Sequence, residues 1–122
     1  FAGFETLGSK KSLMASWITH WLGIKGPSYI IDTACSSSLY AMERAYRILR
    51  SGEADDMIVA GSQLCLNPLV NMQLMRLGVL SPDGYSRPFD IDANGYMRSE
   101  SMTVVYLQKA KNAKRIYATL IH

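Results

Sequence analysis

The stretch that decides the fold is residues 28–61, SYIIDTACSSSLYAMERAYRILRSGEADDMIVAG. It opens with SYIID (28–32), a short β-branched apolar run that is typical of a strand. Apolar side chains then recur three and four positions apart over 36–50, which predicts a helix. MIVAG (57–61) is uniformly apolar and predicts a strand buried on both faces. Strand, helix and buried strand together predict a βαβ unit with a parallel sheet and a right-handed crossover.

Weaker patterns flank this unit on both sides. No internal repeat or domain linker interrupts them, so the chain is expected to be α/β throughout and to form one domain or part of one. The predicted elements are an amphipathic helix at 10–22 that ends at Gly23, a short helix at 68–76, a type I turn at SPDG (81–84), and strands at 102–108 and 115–121.

The composition argues against several classes of protein for this chain. The 122 residues are 48% hydrophobic and 19% charged, as in an ordinary soluble globular protein, and no apolar run approaches a membrane-spanning length. The net charge of +3 and the small basic cluster at 109–115 argue against a nucleic-acid partner. The cysteines lack metal-ligand spacing, so no metal site is expected. A start at Phe1 without a secretory pattern suggests a piece of a longer, cytoplasmic polypeptide.

Cys35 lies between the first predicted strand and the helix, directly before three serines. The first N–H groups of a helix lack intrahelical partners, and with the helix dipole they favour a thiolate by about 0.3–1 kcal/mol, or ~2 kcal/mol when partly buried. The same donors can face an oxyanion on an attacked carbonyl. A tight strand-to-helix turn also pushes the side chain clear of the backbone. Placement alone leaves two interpretations: a nucleophile, or a small buried thiol beside helix-capping serines.

Two longer segments decide between these interpretations. Residues 26–63 contain DTACSSS, and residues 75–100 read MRLGVLSPDGYSRPFDIDANGYMRSE. Together they closely resemble the β-ketoacyl synthase (condensing enzyme) domain, and the resemblance runs through essentially the whole chain. It is most similar to the domain of animal-type, insect-like multifunctional fatty acid synthases. The tripeptide at 99–101 is Ser-Glu-Ser, where bacterial and polyketide relatives typically carry Gly-Glu-Gly.

The resemblance implies a thiolase-like fold, a layered α/β/α architecture. Residues 1–122 would be a partial ketosynthase domain, the later part of its N-terminal half, with no second domain. In that fold 28–32 is the third strand, 36–50 the central buried helix, 57–61 the fourth strand and 102–108 the antiparallel fifth. The third strand is an edge that pairs with its copy in this family, so a homodimer through 28–32 is expected.

The resemblance also implies a chemistry for Cys35, that of the acyl-thioester nucleophile. Cys35 would take an acyl chain from the phosphopantetheine arm of an acyl carrier protein, and decarboxylation of a malonyl thioester would supply the carbanion that extends it. No cofactor would bind the domain directly, and NADPH would serve only the reductase domains of the parent. The family also needs a pair of histidines beyond the cysteine. This chain offers only His20 and His122, neither in a matching motif, so the fragment alone is expected to be inactive.

Several other residues invite a functional label but are interpreted as structural. Three carboxylates near turns resemble a magnesium or acid–base set, yet are expected to order their loop: Asp90, Asp92 and Glu100. Asp32 is expected to order the turn before Cys35. Cys65 and His20 have no chemical context in the sequence and are expected to be structural.

Three alternatives to the fatty acid synthase stay open at this point. The first is the ketosynthase of a modular polyketide synthase, which runs the same reaction. The second is a non-catalytic homologue that acts as a dimer scaffold, although such proteins usually lose the cysteine. The third is a thiol-redox protein, in which Cys65 would have to act as the resolving cysteine for Cys35.

Overall fold

Four α-helices and two β-strands are found in the computed structural model, which describes residues 5–121. The chain forms two compact units: one ends at Ala60 and resumes at Val104, and the other spans Gly61–Thr103. In chain order the elements are α1 (Glu5–Gly8), α2 (Met14–Leu22), α3 (Ser37–Ser51), β1 (Asp56–Gln63), α4 (Pro68–Arg76) and β2 (Ser101–Gln108), with 3-10 turns at Lys11–Leu13 and Ala110–Asn112.

The three longer helices confirm the predictions made from periodicity. Helices α2 and α3 end at Gly23 and Gly52, which adopt left-handed φ angles of 65° and 79°. Glycine meets this requirement of a helix C-terminus without steric cost. Helix α4 begins after Asn67, whose side chain accepts a hydrogen bond from the N–H of Leu69 at 2.9 Å. Helix boundaries follow from local signals because helical hydrogen bonds are local.

Strands β1 and β2 form a two-stranded sheet and confirm the strands predicted at 57–61 and 102–108. Gln108 Nε2 donates to Asp56 Oδ1 at 3.0 Å, which places the end of β2 beside the start of β1. The two strands therefore run antiparallel, as expected for 102–108. The prediction of a parallel βαβ sheet is wrong for the described residues, since β1 pairs with β2.

Two predicted strands do not form in the described residues. Residues 28–32 and 115–121 have no strand conformation. A strand is stabilised by hydrogen bonds to a neighbouring strand, and the described sheet consists of β1 and β2 alone. An apolar β-branched run that lacks such a neighbour stays irregular.

Fewer apolar side chains are buried than the sequence predicts. Among the described residues the buried hydrophobic side chains are Ala45, Ile48 and Leu49 on α3 and Val59 on β1. Leu39, predicted on the same apolar face of α3, is 70% exposed. The prediction that 57–61 is buried on both faces is wrong here, because Ile58 is 39% exposed on the face opposite Val59. That face of the strand is therefore partly open to solvent in the described chain.

The second unit contains an ordered loop between α4 and β2. Ser81 N–H donates to the Tyr96 carbonyl at 3.0 Å, and Tyr96 N–H donates to the Val79 carbonyl at 3.1 Å. Gly95 lies directly against this crossing at φ 131°, and a Cβ there would stand 2.5 Å from Ser81 N. A side chain at position 95 would therefore push the two chain segments apart.

Asp83 ties the predicted turn at 81–84 to the rest of this loop. Its Oδ1 accepts from the hydroxyl of Ser81, and its Oδ2 accepts from Arg87 Nη1 at 2.9 Å and from Asn94 Nδ2 at 3.4 Å. The Ser81 hydroxyl, and after it Arg87 and the Tyr85 N–H, lower the pKa of Asp83 from 3.8 to about 2. The turn itself is confirmed by the Gly84 N–H donating to the Ser81 carbonyl at 3.4 Å.

We expect this loop to lose protection when pH falls from about 4 towards 2. The pKa of Asp83 is lower in the folded chain, so its stabilising effect is complete above the unfolded value of 3.8 and disappears as the carboxylate is protonated. Hydrogen–deuterium exchange of peptides from 79–98, corrected for intrinsic rates, measures this. In the Asp83→Asn variant these peptides should exchange their amide hydrogens faster than in the parent at neutral pH, and their protection should change less with pH. Asp92→Asn is the control; equal protection in both variants would contradict the prediction.

None of the helices described here is long and apolar enough to cross a membrane.

Candidate active site

Cys35 lies on an exposed turn two residues before α3 begins. Ala34, which precedes it, adopts a left-handed φ of 56°, the one positive φ of a non-glycine residue in the described chain. An L-residue with a Cβ enters this region at a steric cost and stays there only where surrounding contacts hold it. The sharp reversal presents the Cys35 side chain to solvent, so the interpretation of Cys35 as a buried thiol is wrong.

Side chains on both sides of Cys35 hold this turn. Before it, Asp32 Oδ1 accepts from the Ala34 N–H at 3.1 Å, the ordering role expected for Asp32. After it, the Ser36 hydroxyl donates to the Thr33 carbonyl at 2.8 Å. The Ser37 hydroxyl accepts from the Thr33 N–H at 2.8 Å and donates to the Ala34 carbonyl at 2.6 Å. The backbone at 33–34 is thus fixed from both directions.

The serines do not cap α3 in the usual sense. Ser36 occupies the N-cap position but makes no side-chain hydrogen bond to the first turn of the helix. Both serine hydroxyls bond backward to the turn, while the helix is closed by backbone bonds such as Leu39 N–H to the Ser36 carbonyl at 3.1 Å. Sequence reasoning missed this, since a serine before a helix is most often a cap.

Residues 28–32 are anchored to α3 although they form no strand. Arg44 Nη2 donates to the Tyr29 hydroxyl at 3.4 Å, and the Arg44 guanidinium lies 5.2 Å from the centre of the Tyr29 ring. A cation over an aromatic face at this distance is attractive. The contact ties the segment that leads into the turn to the helix that leads out of it.

The arrangement can present a nucleophile to an approaching carbonyl group. Cys35 is exposed, its neighbours are alanine and serines, and α3 starts beside it with the positive end of its dipole. Within the described chain no hydrogen bond joins His20 to Cys35; His20 lies exposed on α2. His122 lies outside the described residues. The described structure therefore supplies an exposed thiol and the turn that carries it, with no imidazole hydrogen-bonded to that thiol among residues 5–121.

Cys65 has a different environment. Its N–H donates to Glu100 Oε1 at 2.8 Å, and its thiol lies 3.8 Å from the Ser99 carbonyl, a long contact typical of sulfur. It is half-buried, whereas Cys35 is exposed, and both thiols are free. These contacts agree with the structural role predicted for Cys65.

The carboxylates predicted to order their loop do not share hydrogen-bond partners. Asp90 Oδ1 accepts from the Asp92 N–H at 2.9 Å, which closes a short turn. Glu100 instead bonds the backbone at Cys65. No group of three acidic, histidine or cysteine side chains suited to a metal ion occurs in residues 5–121.

Comparison with known proteins extends this picture. The family described as "Beta-ketoacyl synthase, N-terminal domain" matches residues 2–113. A fatty acid synthase of Anser anser anser is 46% identical over 98% of this chain and 34% of its own length. A lovastatin diketide synthase of Monascus pilosus is 44% identical over 88% of this chain and 4% of its own length. The chain thus spans 34% or less of the length of these relatives.

A solved structure confirms the predicted fold class. The ketosynthase from module 6 of the bacillaene synthase of Bacillus subtilis is 38% identical and superposes with a TM-score of 0.84. The match covers 92% of this chain and 20% of that chain. The predicted thiolase-like α/β fold is therefore the fold of the structures this chain resembles, of which it represents about a fifth.

Proposed function

The chain belongs to the β-ketoacyl synthase family, and on that premise we propose that it is the active-site-cysteine region of the ketosynthase domain of a fatty acid synthase. The observation that carries the proposal is Cys35 within DTACSSS, exposed on a tight turn at the start of α3. Residues 1–122 form part of that domain in this proposal, without a second domain.

Cys35 accepts the acyl chain in this scheme. Its thiolate attacks the carbonyl carbon of an acyl thioester, a carbon–sulfur bond to Cys35 forms, and the thiol of the phosphopantetheine carrier leaves. Backbone N–H groups at the start of a helix are suited to stabilise the oxyanion of the tetrahedral intermediate. The acyl group then condenses with the carbanion that a malonyl thioester forms by losing CO2. In this scheme the two histidines that the second step needs belong to the second half of the parent domain, since neither His20 nor His122 stands in the family's motif.

Two features support a fatty acid synthase over a polyketide synthase. The match to the fatty acid synthase of Anser anser anser covers 98% of the chain at 46% identity, against 88% at 44% for the diketide synthase of Monascus pilosus. Ser99 and Ser101 also flank Glu100 where polyketide relatives carry glycines. The polyketide synthase is the second candidate, favoured by the bacillaene ketosynthase match.

The partners follow from the proposal. An acyl carrier protein delivers acyl and malonyl groups, the domain binds no cofactor or metal of its own, and NADPH serves the reductase domains of the parent. The proposed parent is cytoplasmic and homodimeric, with no nucleic-acid or membrane partner. The edge at 28–32 would gain in the dimer the neighbouring strand that the described residues lack.

The test is to map the acyl thioester in the complete synthase. After incubation with a labelled acyl-thioester donor and digestion, we expect label on the peptide that contains Cys35. Label on Cys65, or on neither cysteine, would contradict the proposal. The product released with malonyl thioester and NADPH separates the candidates: a saturated fatty acid supports the fatty acid synthase, and a partly reduced polyketide supports the second candidate.

A further inference from the structure

We propose that Ser37 is the positioning residue of the nucleophile: its hydroxyl holds Ala34 in the left-handed conformation that orients Cys35 for acyl transfer. The inference rests on the proposed function, since it concerns the same thiol. It assigns to Ser37 a role that neither helix capping nor contact with substrate requires.

The Ser37 hydroxyl makes two hydrogen bonds to the backbone just before Cys35. The oxygen accepts from the N–H of Thr33 at 2.8 Å and donates to the carbonyl of Ala34 at 2.6 Å. The Ser37 side chain therefore bonds to the first N–H of the residue pair 33–34 and to the last carbonyl of that pair. Between these two points lie the torsions of Thr33 and Ala34, which set the direction of the backbone at Cys35.

Ala34 has a backbone conformation that needs such contacts to persist. At φ 56° the Cβ of an L-residue lies close to its own backbone, so the extended and right-handed regions are favoured unless contacts hold the residue. Asp32 Oδ1 holds the Ala34 N–H at 3.1 Å and Ser37 holds its carbonyl. The Ser37 backbone N–H also donates to the Ala34 carbonyl at 3.1 Å, and this bond remains when the hydroxyl is removed. The hydroxyl adds the link from that carbonyl to the Thr33 N–H, so without it the torsions of Thr33 and Ala34 are less constrained and Cys35 can shift with them.

The behaviour of Ser36 excludes ordinary capping as the reason for the serines. Ser36, at the N-cap, makes no side-chain bond to α3, and its hydroxyl donates to the Thr33 carbonyl. Two successive serines thus bond to the two residues before the nucleophile. Ser38, the third serine, is exposed, and no side-chain hydrogen bond of its hydroxyl is found within residues 5–121. It is a matched control.

The experiment uses the complete synthase and single-turnover acyl transfer to Cys35 from a labelled acyl-thioester donor. Ser37→Ala should slow transfer by roughly 10- to 100-fold at saturating donor, the range expected when a reacting atom is displaced by about 1 Å. The donor concentration for half-saturation should not change, because Ser37 does not bind the donor. Ser38→Ala should stay within about twofold of the parent rate.

Two further variants separate positioning from general stability. Ser37→Thr keeps a hydroxyl and should retain most of the rate. Ala34→Gly in the Ser37→Ala background should recover part of the lost rate, because glycine adopts a positive φ without steric cost. Melting temperatures measured beside the rates show whether each variant folds. Glycine at a positive φ also relieves strain in the folded chain, so the rates are compared per folded protein, and a recovered rate then reports the orientation of Cys35 rather than the amount of folded enzyme.

The outcomes are distinguishable. A parent protein whose Cys35 takes no acyl label overturns the proposed function itself. A labelled parent with a folded Ser37→Ala variant at the parent rate overturns only the positioning role, as does equal loss in Ser38→Ala. If Ser37→Ala does not fold, Ser37→Thr and the double variant with Ala34→Gly decide. Transfer that is mostly retained in Ser37→Thr and measurable in the double variant supports the proposal, and failure of either variant when folded overturns it.

Discussion

Replacing Cys35 with serine should lower β-ketoacyl condensation by the complete synthase roughly a thousandfold or more, with no acyl intermediate on the enzyme. A thiol ionises readily near neutral pH, whereas a serine hydroxyl needs a strong base beside it to act as a nucleophile. No imidazole is hydrogen-bonded to Cys35 within the part of the chain that the structure describes. The change is otherwise small, since the side chain is exposed and the turn is held by Asp32, Ser36 and Ser37.

Condensation is measured as malonyl-dependent chain elongation, and the intermediate as acid-stable acyl label on the protein. Cys65→Ser is the matched control, because the described hydrogen bonds of Cys65 go to Glu100 and Ser99 rather than to the turn around Cys35. We expect it to retain elongation and label within about twofold of the parent. Retained elongation in Cys35→Ser, or loss of label in Cys65→Ser alone, would show that the nucleophile had been assigned to the wrong cysteine.

Residues 1–122 expressed alone should not form a cooperatively folded monomer. Each fully buried leucine, isoleucine or valine contributes about 1.5–3 kcal/mol, and the described structure buries only Ile48, Leu49 and Val59 of this kind. Large apolar side chains stand in solvent instead: Phe89 and Ile91 are almost fully exposed, and Trp21 is 81% exposed. The antiparallel pair of β1 and β2 also has two unpaired edges, which favour aggregation.

Thermal unfolding, dye binding and sedimentation test this prediction. We expect a broad transition, strong binding of a hydrophobic dye and a mixture of oligomers, while the complete ketosynthase domain should melt sharply as the control. Elongation by residues 1–122 should be undetectable, because only His20 and His122 are present and neither lies in the family's motif. A soluble monomer with a sharp transition would contradict the folding prediction, and measurable elongation the catalytic one.

The sequence alone determined the three longer helices and the two paired strands, and it singled out Cys35 as the proposed nucleophile. The apolar spacing of 36–50 and the glycine at 52 are sufficient for α3, because each helical hydrogen bond and its C-cap involve residues four positions apart or fewer. The apolar runs within β1 and β2 likewise predict strands. DTACSSS predicts the family, which the match over residues 2–113 confirms, because a motif preserves the residue types that a chemistry needs.

Only the tertiary structure decided which apolar runs become strands and which side chains become buried. Residues 28–32 carry as strong a strand pattern as β1, yet β1 has β2 beside it and 28–32 has no such neighbour in the described chain. The left-handed Ala34, the backward bonds of Ser36 and Ser37, and the convergence of Ser81, Arg87 and Asn94 on Asp83 are likewise invisible to periodicity. Sheet pairing and burial need partners distant in sequence, and even these short-range polar bonds depend on backbone angles that residue type does not specify.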